Sequence, residues 1–172
     1  GMRPLTGWRD LGDGRHELIL DQPISDLYVG MERQQVAREP NATEPWIAMP
    51  QVNVKDARVK PARLPRIPAA DRQALAMLAF ANRGAVQVYR KVKSLDEGGW
   101  LTLDGGRLRF LRDDDPAIFC NAVAFVDLPG EWACVPAEGG KFRVVFKPEA
   151  PDDLPKVRTR RGEDVLELRE RF

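Results

Sequence analysis

The stretch "PAADRQALAMLAFANRG", Pro68 to Gly84, decides the fold class. At helical spacing Ala74, Leu75, Met77, Leu78 and Ala81 form an apolar stripe. Pro68 suits a first helical turn, where its missing N–H would go unpaired in any case. Asp71 sits early, where its charge favours the helix dipole. Asn82 and Gly84 supply the stop, Gly84 being free to take positive φ. The spacing predicts one main helix over 67–84, and its many alanines predict close packing against a sheet.

Downstream of this stretch the period changes to that of strands. "AVQVYRKV" puts Val86, Val88 and Val92 on one face. "WLTLDGGRLRFL", Trp100 to Leu111, reads as a hairpin with Gly105 and Gly106 as its two-residue tip. Asp104 then pairs with Arg107, Leu103 with Leu108, Thr102 with Arg109 and Leu101 with Phe110. "AIFCNAVAFV", residues 117–126, reads as a strand buried on both faces, because Ile118, Phe119, Val123, Phe125 and Val126 favour sheet. "EWACV" and "FRVVF" follow, with Phe142, Val144 and Phe146 on one face. Residues 85–146 therefore predict an antiparallel meander of about six strands, or a partly closed barrel.

Upstream, residues 1–66 read as a proline-rich N-terminal arm with short strands. In "HELILD", Leu18 and Leu20 face one way and Glu17 and Ile19 the other. "DLYVGM" offers a second short strand and "IAMPQVNV" an edge strand. Prolines 40, 45, 50, 61, 65 and 68 each lack a backbone donor and bias their neighbours to extended geometry. Residues 147–172 form a polar tail, whose "PEAPDDLP" is a poor regular element. The expected fold is α+β in a single domain over 1–172.

Composition sets the class. Of 172 residues 43% are hydrophobic and 31% charged, proportions of a globular domain, and the net charge is +1. Such balance gives no global field toward nucleic acid or an anionic membrane. Gly1 ahead of Met2 reads as a remnant of tag removal. No apolar run reaches the roughly 18 residues of a spanning helix, so the expectation is a soluble, cytoplasmic protein without membrane contact. Two cysteines, Cys120 and Cys134, fit a reducing compartment.

The chemistry-bearing residues are sparse. The only histidine is His16, too few for a Cys/His zinc site. No phosphate loop, dinucleotide fingerprint or His-Glu-x-x-His pattern is present, so no cofactor and no metal are expected. Cys120 or Cys134 with His16, and Asn121 nearby, is the sharpest catalytic option, set against two thiols that are merely buried. Asp113, Asp114 and Asp115 form the densest acidic patch, but contiguous spacing fits a solvated loop better than a cation site. Lys55, Arg58, Lys60, Arg63 and Arg66 lack interleaved aromatics, which argues against nucleic acid.

What remains is surface. Trp46 lies in the arm, where few local neighbours can bury it, and an arm with an aromatic anchor is a docking feature. Trp100 falls on the polar side of the expected hairpin. Arg107 has Asp104 as a cross-strand partner, whereas Arg109 has no charged partner and is the residue freest to hold an anion. The expected function is a non-catalytic binding or protein-interaction module, oligomeric or bound to a protein partner, with Trp46, Trp100, Arg107 and Arg109 as the contact residues. A small-molecule ligand beside Arg109 or Trp100 fits the same residues. The alternative is a small enzyme using a Cys–His pair or the carboxylates at 113–115.

Overall fold

A computed structural model describes residues 1–41, 44, 47–49, 52–53, 58–59, 67–72, 74–80, 87–96, 98–103 and 115–160. The chain is sheet-rich, with very little helix, and gathers into two compact units. One joins Gly1–Ala37 to the chain from Val126 onward, and the other is Arg38–Phe125.

The first unit holds two sheets among its described residues. In the five-stranded sheet the order is Arg9–Asp10, His16–Leu20, Phe142–Phe146, Glu131–Pro136, Gln35–Val36. Its neighbours are antiparallel except the last pair, which is parallel. The four-stranded sheet runs Met2–Pro4, Val157–Arg160, Tyr28–Val29, Glu32–Arg33, all antiparallel. The stretch read as an arm thus begins with short strands that complete these sheets.

Alternation explains the core. Leu18 lies opposite Val144, and Val144 opposite Cys134. These three pack with Leu5, Leu27, Trp132, Phe146 and Val157, drawing on both sheets. Phe142 joins its edge, so "FRVVF" turns Phe142, Val144 and Phe146 inward as its spacing predicts. Trp8 closes one side with its ring tilted 55° against Phe146 at 6.0 Å. Buried Asp26 ties the connection before Tyr28–Val29 to the strand Val157–Arg160. Thr159 Oγ1 donates to its main-chain oxygen at 2.8 Å and to its carboxylate at 3.1 Å, and the Arg160 N–H donates to the carboxylate at 3.0 Å.

The second unit is built on a sheet of order Arg38–Glu39, Asp115–Cys120, Ala76–Phe80, Gln87–Leu95, Leu101–Leu103, Arg58–Val59, Val52–Asn53. Ile47–Met49 also pairs with Asp115–Cys120, along its first half. Here three expectations are corrected. Within 67–84 the described helix is Ala69–Arg72, and Ala76–Phe80 is a strand paired on both edges, so the described residues are sheet-rich with very little helix. A nearly all-apolar run fits a strand between two neighbours as well as a helix, and tertiary pairing overrides propensity. Asp71 serves not a long helix but a tertiary bond, accepting the Ala124 N–H at 2.9 Å.

The second correction concerns the hairpin. Leu101 pairs with Leu95 on one side and Val59 on the other, and Thr102 with Ser94 and Arg58. Both edges are taken by these neighbours; Arg109 and Phe110, the partners the sequence suggests, lie outside the described residues. The Gly105–Gly106 tip itself lies outside the described residues. Third, 85–146 is no single meander. Asp115–Cys120 returns beside Ala76–Phe80, whereas Glu131–Pro136 and Phe142–Phe146 belong to the first unit beside His16–Leu20. The apolar run 117–126 breaks at Asn121, whose φ of +63° an asparagine tolerates, and continues as a 3₁₀ turn at Val123–Phe125. Pro151–Lys156 in the tail also forms a 3₁₀ helix.

The core makes a direct prediction. Phe146 is fully buried. Phe146→Ala should cost about 3–5 kcal/mol by denaturant unfolding, and a loss below about 1 kcal/mol would contradict this packing.

Candidate functional site

Of the residues expected at a contact site, Trp46, Arg107 and Arg109 lie outside the described residues, as do Asp113 and Asp114. Trp100 is half-buried at the end of a tight hairpin. The Asp96 N–H donates to the Trp100 carbonyl at 3.0 Å, the Gly99 N–H to the Asp96 carbonyl at 3.1 Å, and the Trp100 N–H to Asp96 Oδ1 at 2.9 Å. Gly99 takes φ +80°, which a side chain would resist. The turn that closes this hairpin is therefore Asp96–Gly99, and Asp96 sets the Trp100 backbone.

Within the first unit, Cys134 and His16 stand apart on the sheet. Cys120 and Cys134 are free thiols in different units. Burial pushes the Cys120 thiol up to about 11, against a smaller opposing pull from the Arg38 guanidinium. Burial likewise raises Cys134, opposed by a hydrogen bond with the Ile24 backbone. His16 stands opposite Phe146, and Cys134 opposite Val144 in the next strand over. Strand and residue spacing put their backbones about 12 Å apart, with both side chains standing off the sheet rather than meeting. His16 Nε2 instead lies 4.0 Å from Asp10 Oδ1. Asn121, the third member considered, donates from Nδ2 to the Ala74 carbonyl at 3.1 Å and so ties the strand end to the turn before Ala76.

The buried acids are the features that sequence reading missed. Glu17 points to the sheet face opposite the Leu18 core and bonds two arginines. Arg9 Nε donates to Oε1 at 2.9 Å, with Arg9 Nη2 on the same oxygen, and Arg143 Nε donates to Oε2 at 2.7 Å. Arg9 faces Glu17 directly, whereas Arg143 faces Ile19 and reaches Glu17 along the diagonal. Burial pushes the Glu17 carboxyl up, but the hydrogen bonds and charges of Arg9 and Arg143 outweigh it and hold it below its ordinary value. The signal was present as a single acid in "HELIL" and a single base in "FRVVF", each on the face opposite the inward apolar residues.

Glu131 is the second missed acid, an acidic start to an otherwise apolar strand. It is 4% exposed, and its Oε2 accepts the N–H groups of Asp127 at 3.2 Å and Leu128 at 3.0 Å. Among the described residues no group of three or more His, Cys, Asp or Glu is placed to hold a metal ion. No described helix is long and apolar enough to cross a membrane.

No family model matches the sequence, and no curated protein matches it. A solved structure named "Glycoside hydrolase" superposes with a TM-score of 0.68 and 14% sequence identity over 92% of this chain. This chain spans 31% of that one. At such identity the likeness is one of fold.

Two measurements follow from this chemistry. Two pKa units above the ordinary thiol leave about a hundredth of the thiolate, so Cys120 should react with a disulfide reagent about a hundredfold more slowly in the folded than in the unfolded protein. Equal rates would contradict its burial. Arg143→Ala should cost about 1–3 kcal/mol near neutrality by leaving Glu17 half-paired. Because Glu17 is lowered on folding, its contribution is present above the ordinary value of 4.5 and fades as pH falls through the folded value. The penalty of the substitution should shrink over the same acid range, and a penalty that grows there would contradict the pairing.

Proposed function

We propose that this chain is a non-catalytic binding or protein-interaction module that assembles with further copies of itself or with a protein partner. The observation that carries the reading is the employment of its buried acids. Glu17 is bonded to Arg9 and Arg143, Asp26 to Thr159 and Arg160, Asp71 to the Ala124 amide, and Glu131 to the amides of its own turn. Groups so occupied hold strands and turns in place. Both thiols, raised by burial, lie on the unreactive side of neutral pH.

The surface offers contacts of its own. Met31 is 84% exposed, Ile19 46% and Leu128 42%, all in the first unit. Met31 follows Gly30 at the tip of the hairpin between Tyr28–Val29 and Glu32–Arg33, and methionine there adapts to a partner surface. The likeness to about a third of a longer chain is consistent with a fold that works as one part of an assembly. Trp46, Trp100, Arg107 and Arg109 remain the sequence's own contact candidates.

A second reading has one observation in its favour. Glycosidases pair a carboxyl of raised pKa with a carboxylate across the scissile bond, about 5–9.5 Å apart. Burial raises the Glu131 carboxyl to about 7, and the structural neighbour bears the name of that class. Against it, Glu131 is closed from solvent and bonded to its own turn.

Light scattering of the purified chain separates these readings. A mass above 19.4 kDa at about 100 μM, reduced by Met31→Glu or Leu128→Glu, is the expected result. An unchanging 19.4 kDa particle, together with hydrolysis of aryl glycosides that Glu131→Gln abolishes, would replace the module with the enzyme.

A further inference from the structure

The strand His16–Leu20 is paired along only part of its outer edge. Alternate residues of an antiparallel strand bond to opposite neighbours. The Ala137 N–H donates to the Lys141 carbonyl at 2.8 Å, and the Lys147 N–H to the Glu131 carbonyl at 2.9 Å. That phase turns residues 143 and 145 toward Glu131–Pro136 and residues 142, 144 and 146 toward His16–Leu20. Glu17 and Ile19 therefore aim their N–H and C=O groups the other way, toward Arg9–Asp10. The Leu11 N–H, bonded to the Arg15 carbonyl at 2.9 Å, keeps the same phase. Arg9 meets Glu17, and there the pairing stops. The chain before it serves the other sheet, where Met2–Pro4 pairs with Val157–Arg160 and the Leu5 N–H donates to the Val157 carbonyl at 2.9 Å. Among the described residues no strand lies beside Ile19 on that edge. An unpaired N–H and C=O with an exposed apolar side chain make a template for one more strand.

The side chains around this opening select what fits it. Glu17 engages both carboxylate oxygens with Arg9 and Arg143, and Asp21 pairs with Lys141 at 3.3 Å. Among the described residues Arg9 Nη1 and both Nη groups of Arg143 make no bond, and the Arg9 side chain is 71% exposed. Three cations face two acids, which leaves one positive charge over. We propose that the edge at Ile19 receives an extended, acidic segment of a protein partner, its main chain paired with Ile19 and a carboxylate on the spare N–H groups of Arg9 and Arg143. The proposal rests on the reading of this chain as an interaction module and names the chemistry of the partner. Main-chain bonds hold such a segment, and charge-assisted bonds to guanidinium choose its side chain. A second copy joined through the same edge would bring its own Arg9 and Arg143 there, like charge against like.

The test is an NMR titration of the full chain with a short blocked peptide of alternating valine and glutamate, and with its glutamine counterpart. With the glutamate peptide the Ile19 amide should shift and gain protection from exchange, and the Arg9 and Arg143 Nε–H signals should shift with it. The glutamine peptide should bind roughly tenfold more weakly, having lost a charged acceptor. Ile19→Glu, a change at an exposed position, should weaken the glutamate peptide roughly tenfold or more by setting a carboxylate where the segment's own must lie. An Ile19 amide unmoved by the glutamate peptide, equal binding of the two peptides, or unaltered binding in Ile19→Glu would each overturn the proposal. So would a mass above 19.4 kDa that Ile19→Glu lowers, which gives the edge to a second copy. The interaction module itself falls only to a 19.4 kDa particle with Glu131-dependent glycoside hydrolysis.

Discussion

The register that lays Leu18 beside Val144 and Val144 beside Cys134 is the constraint on which the first unit depends. Side chains alternate across a strand, so one register sends every inward residue of three strands to the core together. It also places Glu17 within reach of both Arg9 and Arg143 on the other face. A slip of one residue would turn Glu17 and Arg143 into the apolar cluster and bring Leu18 and Val144 out of it. Each buried aliphatic side chain is worth about 1.5–3 kcal/mol, and each unpaired charge turned inward adds a further cost. Core and ion cluster therefore select the same pairing.

Two strands of that unit, though not their pairing with one another, were legible in the sequence because they carry a polar and an apolar alternation. "HELIL" and "FRVVF" announce their period and their inward residues. Ala76–Phe80 announces nothing, because a strand paired on both edges within an apolar run has no period to read. Its alanines and leucines fit a helix equally, and only the neighbours Gln87–Leu95 and Asp115–Cys120 decide. The hairpin at Trp100 failed for a different reason. Glycine pairs stand at 98–99 and 105–106, and turn chemistry permits either to close a hairpin. The Asp96 side chain, bonded to the Trp100 amide, fastens the turn at Gly99.

The site was less legible than the fold. Reading for chemistry singled out thiols, a histidine and an acidic run, whereas the structurally active acids are Glu17, Asp26, Asp71 and Glu131, scattered singly through the chain. A single acid in a sequence gives no sign of its partners, since those come from strands as distant as Arg9 and Arg143. The resemblance to a glycoside hydrolase stands at 14% identity. A likeness of fold at that identity does not by itself carry an activity.

Interstrand nuclear Overhauser contacts across His16–Leu20, Phe142–Phe146 and Glu131–Pro136 test this account most directly. It predicts contacts joining Leu18 to Val144 and Val144 to Cys134, with Glu17 opposite Val145. Contacts displaced by one residue along any of the three strands would contradict it, since the core and the Glu17 arginine pair could not then both exist.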